Sequence, residues 1–188
     1  MHDAEFPLSL LEKAARVRLL LTDCDGVLTD AGVYYSANGE ELKRFSLRDG
    51  MGVERLRELA SVETGIVTGE NAPLVARRAE KLHIMELHLG AKNKKQTLLD
   101  ILERRQLKPE QVAYIGDDVN DEAVMRAVGL SACPADAFED ILQIADYICQ
   151  KPGGHGAFRE FAELIILAKT DKFHSQSERH VYETLKVS

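Results

Sequence analysis

Short β-rich runs alternate along this chain with longer stretches of helical periodicity, and this alternation limits the possible folds more than any other feature. Parallel strands need crossover connections of a dozen or more residues, which are usually helices. The alternation therefore predicts an α/β fold with a mainly parallel sheet and helices on both of its faces. The predicted strands are Val17–Thr22, Thr64–Thr68, Met85–Leu87, Val112–Ile115, Leu130–Ala132 and Tyr147–Ile148.

Helix-starting residues occur in the stretches between these strands. Ser9-Leu10-Leu11-Glu12 has the residue types of a capping box, and Asn71 with Pro73 predicts the start of a helix that ends near Leu82. Strands and helices together predict a Rossmann-like three-layer sandwich. The further predicted helices are Asn93–Arg105, Asp121–Val128, Ala137–Ile144 and Ala157–Lys169.

One segment interrupts the alternation. Residues 33–45 contain two β-compatible runs around Asn38-Gly39. Because Asn-Gly between such runs favours a type I′ turn, the segment predicts a protruding β-hairpin at the C-terminal end of the first strand. Extended edge strands that carry tyrosines pair readily, so we expect the chain to self-associate through this hairpin.

The chain is expected to be a single domain over residues 1–188, with its folded core at about 16–170. It has no internal repeat, no low-complexity stretch and no linker rich in Pro, Gly or Ser. The pattern of residues 171–188 does not decide whether they are ordered.

The net charge of −7 limits the partners of the chain. An anionic protein repels nucleic-acid backbones and anionic lipids, and no basic cluster is large enough to reverse this. The longest apolar run, Leu164–Ala168, is far shorter than a membrane span, and the N-terminus does not resemble a cationic signal peptide. Three cysteines at no metal-ligand spacing fit a reducing compartment. We expect a cytoplasmic protein that binds neither nucleic acid nor membrane.

Two acidic clusters follow predicted strands. Asp23 and Asp25 end the first strand and precede Gly26, while Asp117, Asp118 and Asp121 follow the strand that ends at Ile115. A single aspartate at a strand end is usually a cap or turn residue. Two clusters at neighbouring strand ends would repel each other unless a cation intervened, and oxygen ligands of this kind suit Mg²⁺.

Two weaker signals lie at the same predicted edge of the sheet, where α/β folds bind ligands. Thr68-Gly69 offers a hydroxyl group and allows close backbone approach, although taken alone it is equally typical of a loop. A lysine-containing segment, Gly90–Lys95, opens a predicted helix and taken alone is typical of a solvated basic turn. All four elements together resemble a site for phosphoryl transfer.

The order Asp-x-Asp-Gly-Val, Thr-Gly, Lys and Gly-Asp-Asp-x-x-Asp resembles the haloacid dehalogenase superfamily of phosphohydrolases. The resemblance implies that Asp23 is the nucleophile, forming an aspartyl-phosphate, and that Asp25 is the general acid and base. Mg²⁺ would be held by the carboxylates of Asp23 and Asp117 and by the backbone carbonyl of Asp25. The phosphoryl group would be held by Thr68, Gly69 and Lys94, with Asp118 and Asp121 behind the metal ligands.

Spacing relates the chain to the capless branch of this superfamily. The intervals from Asp25 to Thr68 and from Thr68 to Lys94 leave no room for a cap domain once the core elements are subtracted. Specificity is therefore expected to come from a neighbouring subunit.

Further segments resemble the phosphatases of 3-deoxy-ulosonate phosphates, among them Asn38–Phe45, Arg48-Asp49-Gly50 and Gly153–Glu160. The type members convert 3-deoxy-D-manno-octulosonate 8-phosphate to Kdo and phosphate, a step of lipopolysaccharide biosynthesis. Related enzymes act on the 9-phosphates of keto-deoxy-nononate or N-acetylneuraminate. These enzymes are tetramers joined through the hairpin, so the resemblance implies a homotetramer.

The choice between an eight-carbon and a nine-carbon substrate stays open. Glu70 and Lys81 resemble the nine-carbon group, and His155 also departs from the octulosonate pattern, whereas Arg48-Asp49-Gly50 favours that pattern. The substrate contacts that we expect are Arg48, Glu70, Lys81 and Arg159. Solvated surface charge is the alternative for each of them.

Two other functions fit part of the pattern. A phosphoacceptor signalling domain also has an acidic cluster, a Thr and a Lys at strand ends, but it does not need an acid and base such as Asp25 two residues after the acceptor. A catalytically idle scaffold would be expected to have lost motif carboxylates, and none is missing here.

Overall fold

The computed structural model describes residues 6–170, in which six parallel strands form one sheet and two antiparallel strands form a hairpin. This confirms the predicted fold class. Residues 171–188, whose order the sequence left open, lie outside the described part. The strands are β1 (Leu19–Thr22), β2 (Thr29–Ser36), β3 (Gly39–Phe45), β4 (Glu63–Val67), β5 (Glu86–His88), β6 (Val112–Ile115), β7 (Leu130–Cys133) and β8 (Tyr147–Ile148). The α-helices are α1 (Leu8–Arg16), α2 (Leu47–Ala60), α3 (Pro73–Lys81), α4 (Lys94–Arg105), α5 (Glu122–Met125), α6 (Glu139–Leu142) and α7 (Ala157–Lys169).

The sheet has the order β5-β4-β1-β6-β7-β8. β1 pairs with β4 on one side and with β6 on the other, and every pair in this sheet is parallel. The carboxyl ends of β4, β1 and β6 therefore lie side by side, which is where the predicted site residues follow the strands.

Helices cover both faces of the sheet. Helices α1, α2, α3 and α7 bury their apolar residues with Leu20 and Ile66 on one face. Helices α4, α5 and α6 do the same with Leu19 and Tyr114 on the other face. Because β1 alternates its side chains between two covered faces, its leucines are all fully buried.

All six predicted strands of the sheet are present, and β6 and β8 have the predicted bounds. The helix predictions were less accurate. Helix α2 was not predicted, and α5 and α6 are single turns where longer helices were expected. The capping box at Ser9 was wrong, because α1 begins at Leu8 after Pro7 and has no side-chain cap.

The hairpin is present, but its predicted type I′ turn was wrong. Ser36 pairs with Gly39, so the turn residues are Ala37 and Asn38. A type I′ turn needs positive φ at both of these positions, and Gly39, with φ +105°, is the residue here that adopts it. Two register irregularities bend the hairpin further along.

Within residues 6–170, none of the helices has the length and apolarity that a bilayer crossing requires.

Candidate active site

Asp23 is placed by the continuation of strand pairing beyond β1. Its backbone N–H donates to the carbonyl of Ile115 (3.0 Å), which keeps it beside β6. The chain then turns away from the sheet, and the carbonyl of Cys24 accepts from Leu28 (2.9 Å) and Thr29 (3.0 Å). The Asp23 side chain is thereby held, nearly buried, at the carboxyl edge of the sheet.

Gly26 allows this turn to approach the second acidic loop. Its φ of +86° is a conformation that glycine adopts without strain. A Cβ atom at this position would lie 2.0 Å from Oδ2 of Asp117. Any other residue would therefore displace the Asp117 carboxylate.

The structure brings three carboxylates together at this edge. Oxygen atoms of Asp23, Asp117 and Asp121 all lie within 4.8 Å of one another. Asp121 is fully buried, and its Oδ2 accepts from the backbone N–H of Asp117 (3.1 Å). Its Oδ1 accepts from the Tyr114 hydroxyl (2.6 Å), a contact that the sequence analysis missed.

Lys94 joins two of these carboxylates. Its Nζ lies 2.7 Å from Oδ1 of Asp121 and 3.0 Å from Oδ1 of Asp23, and its side chain is 2% exposed. Lys94 is the first residue of α4, which Asn93 caps through a hydrogen bond from the backbone N–H of Gln96 (3.1 Å). The start of this helix thus places the lysine between the two acidic loops.

Burial and the remaining negative charge raise the pKa of the carboxylates. Burial, and then the charge of Asp121, raises the pKa of Asp23 to about 7, although Lys94 opposes this shift. Burial, and then the charges of Asp23 and Asp121, raises the pKa of Asp117 to about 8. One lysine therefore does not neutralise the cluster.

The donor set fits Mg²⁺. Oδ1 of Asp117 is buried and has no hydrogen-bond donor among the described residues. Carboxylate oxygen atoms of Asp23 and Asp117 lie close to each other, and oxygen atoms are the ligands that Mg²⁺ prefers. The hydrogen bonds of both Asp121 oxygens to protein donors make it better suited to hold Lys94 and Tyr114 than to bind the metal.

Added Mg²⁺ should stabilise this protein more at high pH than at low pH. The folded-state pKa values of Asp23 and Asp117 lie above their ordinary value of 3.8. The contribution of these two groups to stability without metal is therefore present in full below about pH 4 and is lost as pH rises toward 7 to 8, where they ionise. Thermal unfolding with Mg²⁺ and with chelator should differ by at least about 3 °C more at pH 8 than at pH 5. Equal shifts at both pH values would contradict a metal site at these carboxylates.

Thr68 and Gly69 follow β4 at the same edge of the sheet. Thr68 is buried, and its backbone N–H donates to His88 (3.0 Å) while its carbonyl accepts from Ala91 (2.8 Å). These bonds hold the loop after β4 against the segment that leads into α4. A Cβ atom at Gly69 would meet nothing within 4 Å, so there is open space beside it.

Asp25 has two donors that the sequence analysis missed. Lys43 Nζ donates to its Oδ2 (2.6 Å), and Thr29 Oγ1 donates to its Oδ1 (3.1 Å). Burial by itself lowers the pKa of Lys43, but the hydrogen bond and charge of Asp25 outweigh this and raise the pKa overall. The hairpin begins four residues after Asp25, so its second strand must end close to that residue. This proximity was the signal from which the contact of Lys43 with Asp25 could have been predicted.

Asp118 is outside the buried cluster. Its Oδ1 accepts from the backbone N–H of Val119 (2.6 Å), so its carboxylate caps the 3-10 turn at Val119–Asp121. Its own backbone N–H points at Oδ2 of Asp121 (3.5 Å).

The four predicted substrate contacts lie on three helices and one loop. Glu70 and Lys81 are exposed, and Lys81 lies in the last turn of α3, about 12 Å along the helix from its start at Pro73. Arg48 is exposed in the first turn of α2. Arg159 donates through Nε to Oε1 of Glu163 (2.6 Å).

Asp49 explains the motif Arg48-Asp49-Gly50 in structural terms. Its buried carboxylate accepts from the backbone N–H groups of Gly156 (3.2 Å) and Arg159 (2.9 Å). Asp49, which belongs to α2, therefore caps the N-terminus of α7. This contact holds Arg48 of α2 and Arg159 of α7 on neighbouring helices. His155, which departs from the octulosonate pattern, is exposed and contacts Arg44 (3.3 Å).

Comparisons with known proteins agree with this geometry. A model of the haloacid dehalogenase-like hydrolase family matches residues 35–129. The chain is 44% identical over 170 residues to the 3-deoxy-D-manno-octulosonate 8-phosphate phosphatase KdsC of Salmonella typhi, covering 89% of this chain and 90% of that one.

Solved structures are similar as well. The crystal structure of 3-deoxy-D-manno-octulosonate 8-phosphate phosphatase from Yersinia pestis matches with a TM-score of 0.83 and 42% identity, covering 86% of this chain and 87% of that one. The corresponding enzyme from Moraxella catarrhalis, solved with a magnesium ion, a phosphate ion and KDO, matches with a TM-score of 0.83 and 31% identity, covering 90% and 97%. Together with the acidic cluster at the strand ends, these matches show that the chain belongs to the haloacid dehalogenase-like hydrolases, in the branch that contains the KdsC phosphatases.

Proposed function

We propose that this chain is a Mg²⁺-dependent phosphatase that hydrolyses 3-deoxy-D-manno-octulosonate 8-phosphate to Kdo and phosphate, a step of lipopolysaccharide biosynthesis. The observation that carries the proposal is the cluster of buried Asp23 and Lys94 with partly buried Asp117, and Asp25 two residues beyond the proposed nucleophile. The 44% identity to a KdsC phosphatase supports the choice of substrate.

The reaction follows from the positions of two aspartates. The Asp23 carboxylate attacks phosphorus in line, and the bond from phosphorus to the sugar oxygen breaks, which leaves an aspartyl-phosphate. Asp25 gives its proton to the departing alkoxide and then takes a proton from the water that attacks the intermediate. Phosphate leaves and Asp23 is restored.

Other residues hold the phosphoryl group during these steps. Lys94 offsets its negative charge from a buried position, and Thr68 with the backbone of Gly69 contacts its oxygens from the end of β4. Mg²⁺, bound by the carboxylates of Asp23 and Asp117 and the carbonyl of Asp25, would neutralise further charge on this group. Asp121 keeps Lys94 in place.

The proposed oligomer is a homotetramer joined through the hairpin, in a cytoplasmic enzyme. Tyr34, Tyr35 and Leu42 of β2 and β3 are 67%, 72% and 60% exposed, which is a large apolar surface for a free hairpin. A neighbouring subunit would also complete the substrate site, whose proposed contacts Arg48, Glu70, Lys81 and Arg159 lie on three different helices and one loop. Arg48 and Arg159 would contact the substrate carboxylate.

Steady-state kinetics on two substrates test the proposal. With Mg²⁺, purified protein should release phosphate from octulosonate 8-phosphate with a higher kcat/KM than from keto-deoxy-nononate 9-phosphate, and chelator should abolish both activities. A higher value for the 9-phosphate would shift the proposal to the nine-carbon substrate. No release from either compound would refute it.

The same assay tests Glu70. Because Glu70 is exposed at the loop after Thr68, Glu70→Arg should fold normally and raise the preference for octulosonate 8-phosphate by at least about fivefold. Glu103→Arg makes the same charge change at an exposed position in the last turn of α4, at the opposite end of that helix from Lys94, and is the matched control. An unchanged ratio of the two kcat/KM values would remove Glu70 from the specificity set.

A further inference from the structure

The carboxylate of Asp25 is held on both of its oxygens by the base of the hairpin. Lys43 Nζ lies 2.6 Å from Oδ2 and Thr29 Oγ1 lies 3.1 Å from Oδ1. These two residues belong to β3 and β2, so both strands of the hairpin contact the same side chain.

Lys43 is buried to a degree that is unusual for a lysine. Its side chain is 1% exposed, whereas that of Asp25 is 25% exposed. The second acid near its Nζ is Glu40, at the longer distance of 3.6 Å. The Lys43 amine therefore pairs with Asp25 and is not available to contact a substrate.

The base of the hairpin is itself fixed to the domain. Phe45, which pairs with Thr29, lies under the guanidinium group of Arg78 at 5.6 Å, and Arg78 also donates to the carbonyl of Ser46 (2.8 Å). On the other strand face, Arg44 donates to the carbonyl of Gly154 (2.9 Å). Lys43 therefore projects from an anchored strand.

We propose that Lys43 is a positioning residue that, with Thr29, fixes the carboxyl group of Asp25 in the orientation in which it serves the departing sugar oxygen. The inference rests on the proposed phosphatase function. A general acid must lie within hydrogen-bond reach of the atom it protonates, and a carboxylate restrained on both oxygens samples few other orientations. Among residues 6–170 there is no cap domain to supply this restraint.

Substrates with different leaving groups distinguish this positioning role from a general structural role of Lys43. An alkoxide needs the proton of Asp25 to depart, whereas p-nitrophenolate departs readily without it. The quantity kcat/KM covers the steps up to the first irreversible one, which includes departure of the leaving group.

Lys43→Met keeps most of the length of the unbranched side chain and removes its charge. It should lower kcat/KM for octulosonate 8-phosphate by at least about tenfold, a part of the 10²- to 10⁴-fold that general acid catalysis contributes. It should change kcat/KM for p-nitrophenyl phosphate by less than about threefold. Thr29→Val should give the same pattern with a smaller loss. Equal losses for both substrates, or no loss for either, would overturn the proposal.

A double-mutant cycle tests whether Lys43 acts through Asp25. In an Asp25→Asn background, Lys43→Met should have almost no further effect on kcat/KM for the sugar-acid phosphate. A full tenfold loss in that background would assign Lys43 a separate role and contradict the inference. Glu40→Gln, at the second acid near Lys43, should leave both substrates within about twofold. Oligomeric mass and thermal midpoint of all variants are compared with those of the parent protein.

Failure of the proposed function has a different signature. If the parent protein hydrolyses other alkyl phosphates but not octulosonate 8-phosphate, the substrate assignment fails, and the Lys43 comparison is made with the alkyl phosphate that is hydrolysed. If the parent protein hydrolyses no phosphomonoester, both proposals fail together. If it hydrolyses the octulosonate and Lys43→Met shows no selective loss, only the positioning role fails.

Discussion

Asp23→Asn should reduce phosphate release by at least about 10⁴-fold, since removal of a nucleophile leaves only binding and charge stabilisation. The amide has the shape of the carboxylate but does not attack phosphorus. Asp23 is nearly buried and is held beside β6 by its backbone, so the substitution should leave the surrounding structure in place.

The same variant should be more stable than the parent protein when no metal is present at pH 8. Because burial and Asp121 raise the pKa of Asp23 to about 7, its negative charge at pH 8 is unfavourable, and Asn removes that charge. Thermal unfolding therefore distinguishes loss of chemistry from misfolding. The control is Asp100→Asn, at an exposed carboxylate whose contact is Gln96 Nε2 (2.8 Å). Retained turnover in Asp23→Asn would remove the nucleophile assignment.

Lys94→Met should lose both stability and activity. The substitution keeps the aliphatic stem but leaves Asp23 and Asp121 facing each other without the amine that lies 3.0 Å and 2.7 Å from them. Removing one partner of a buried ion pair typically costs about 3–5 kcal/mol, and we expect a loss of this size in the free energy of unfolding at pH 8. The loss of charge stabilisation should lower kcat by about 10²- to 10³-fold.

Chemical denaturation at pH 8, with and without Mg²⁺, measures this effect. Mg²⁺ should recover a larger part of stability in Lys94→Met than in the parent protein, because the uncompensated charge is greater. The matched control is Lys95→Met at the exposed next position, which should change the free energy of unfolding by less than about 0.5 kcal/mol. A change of similar size in both variants would show that Lys94 does not offset the negative charge of Asp23 and Asp121.

The sheet could be predicted because each strand is a short apolar run with its own local pattern. Helix α2 could not, since Gly50, Gly52 and Asp49 interrupt its apolar pattern and resemble a loop. The structure shows why they are there: a Cβ atom at Gly52 would lie 3.1 Å from the Cα of Arg159, and one at Gly50 would lie 2.6 Å from the guanidinium group of Arg78. Close packing in this helix outweighs intrinsic propensity.

The carboxylates at the strand ends could be predicted for a similar reason. Asp23 and Asp117 directly follow buried strands, and parallel pairing brings such positions together. The contact between Lys43 and Asp25 depends instead on the length, register and bend of a hairpin. Because the predicted turn type was wrong, the local sequence pattern did not predict which side chains of β3 face Asp25.

The lysine bridge between Asp23 and Asp121 also bears on the folding of the chain. Part of the negative charge in the cluster is balanced by the chain itself, with Lys94 at the start of a helix that packs against the sheet. Lys94 therefore lowers the repulsion between the loops after β1 and β6. A folding chain thus brings its central strands together at a lower electrostatic cost than the carboxylates alone would impose.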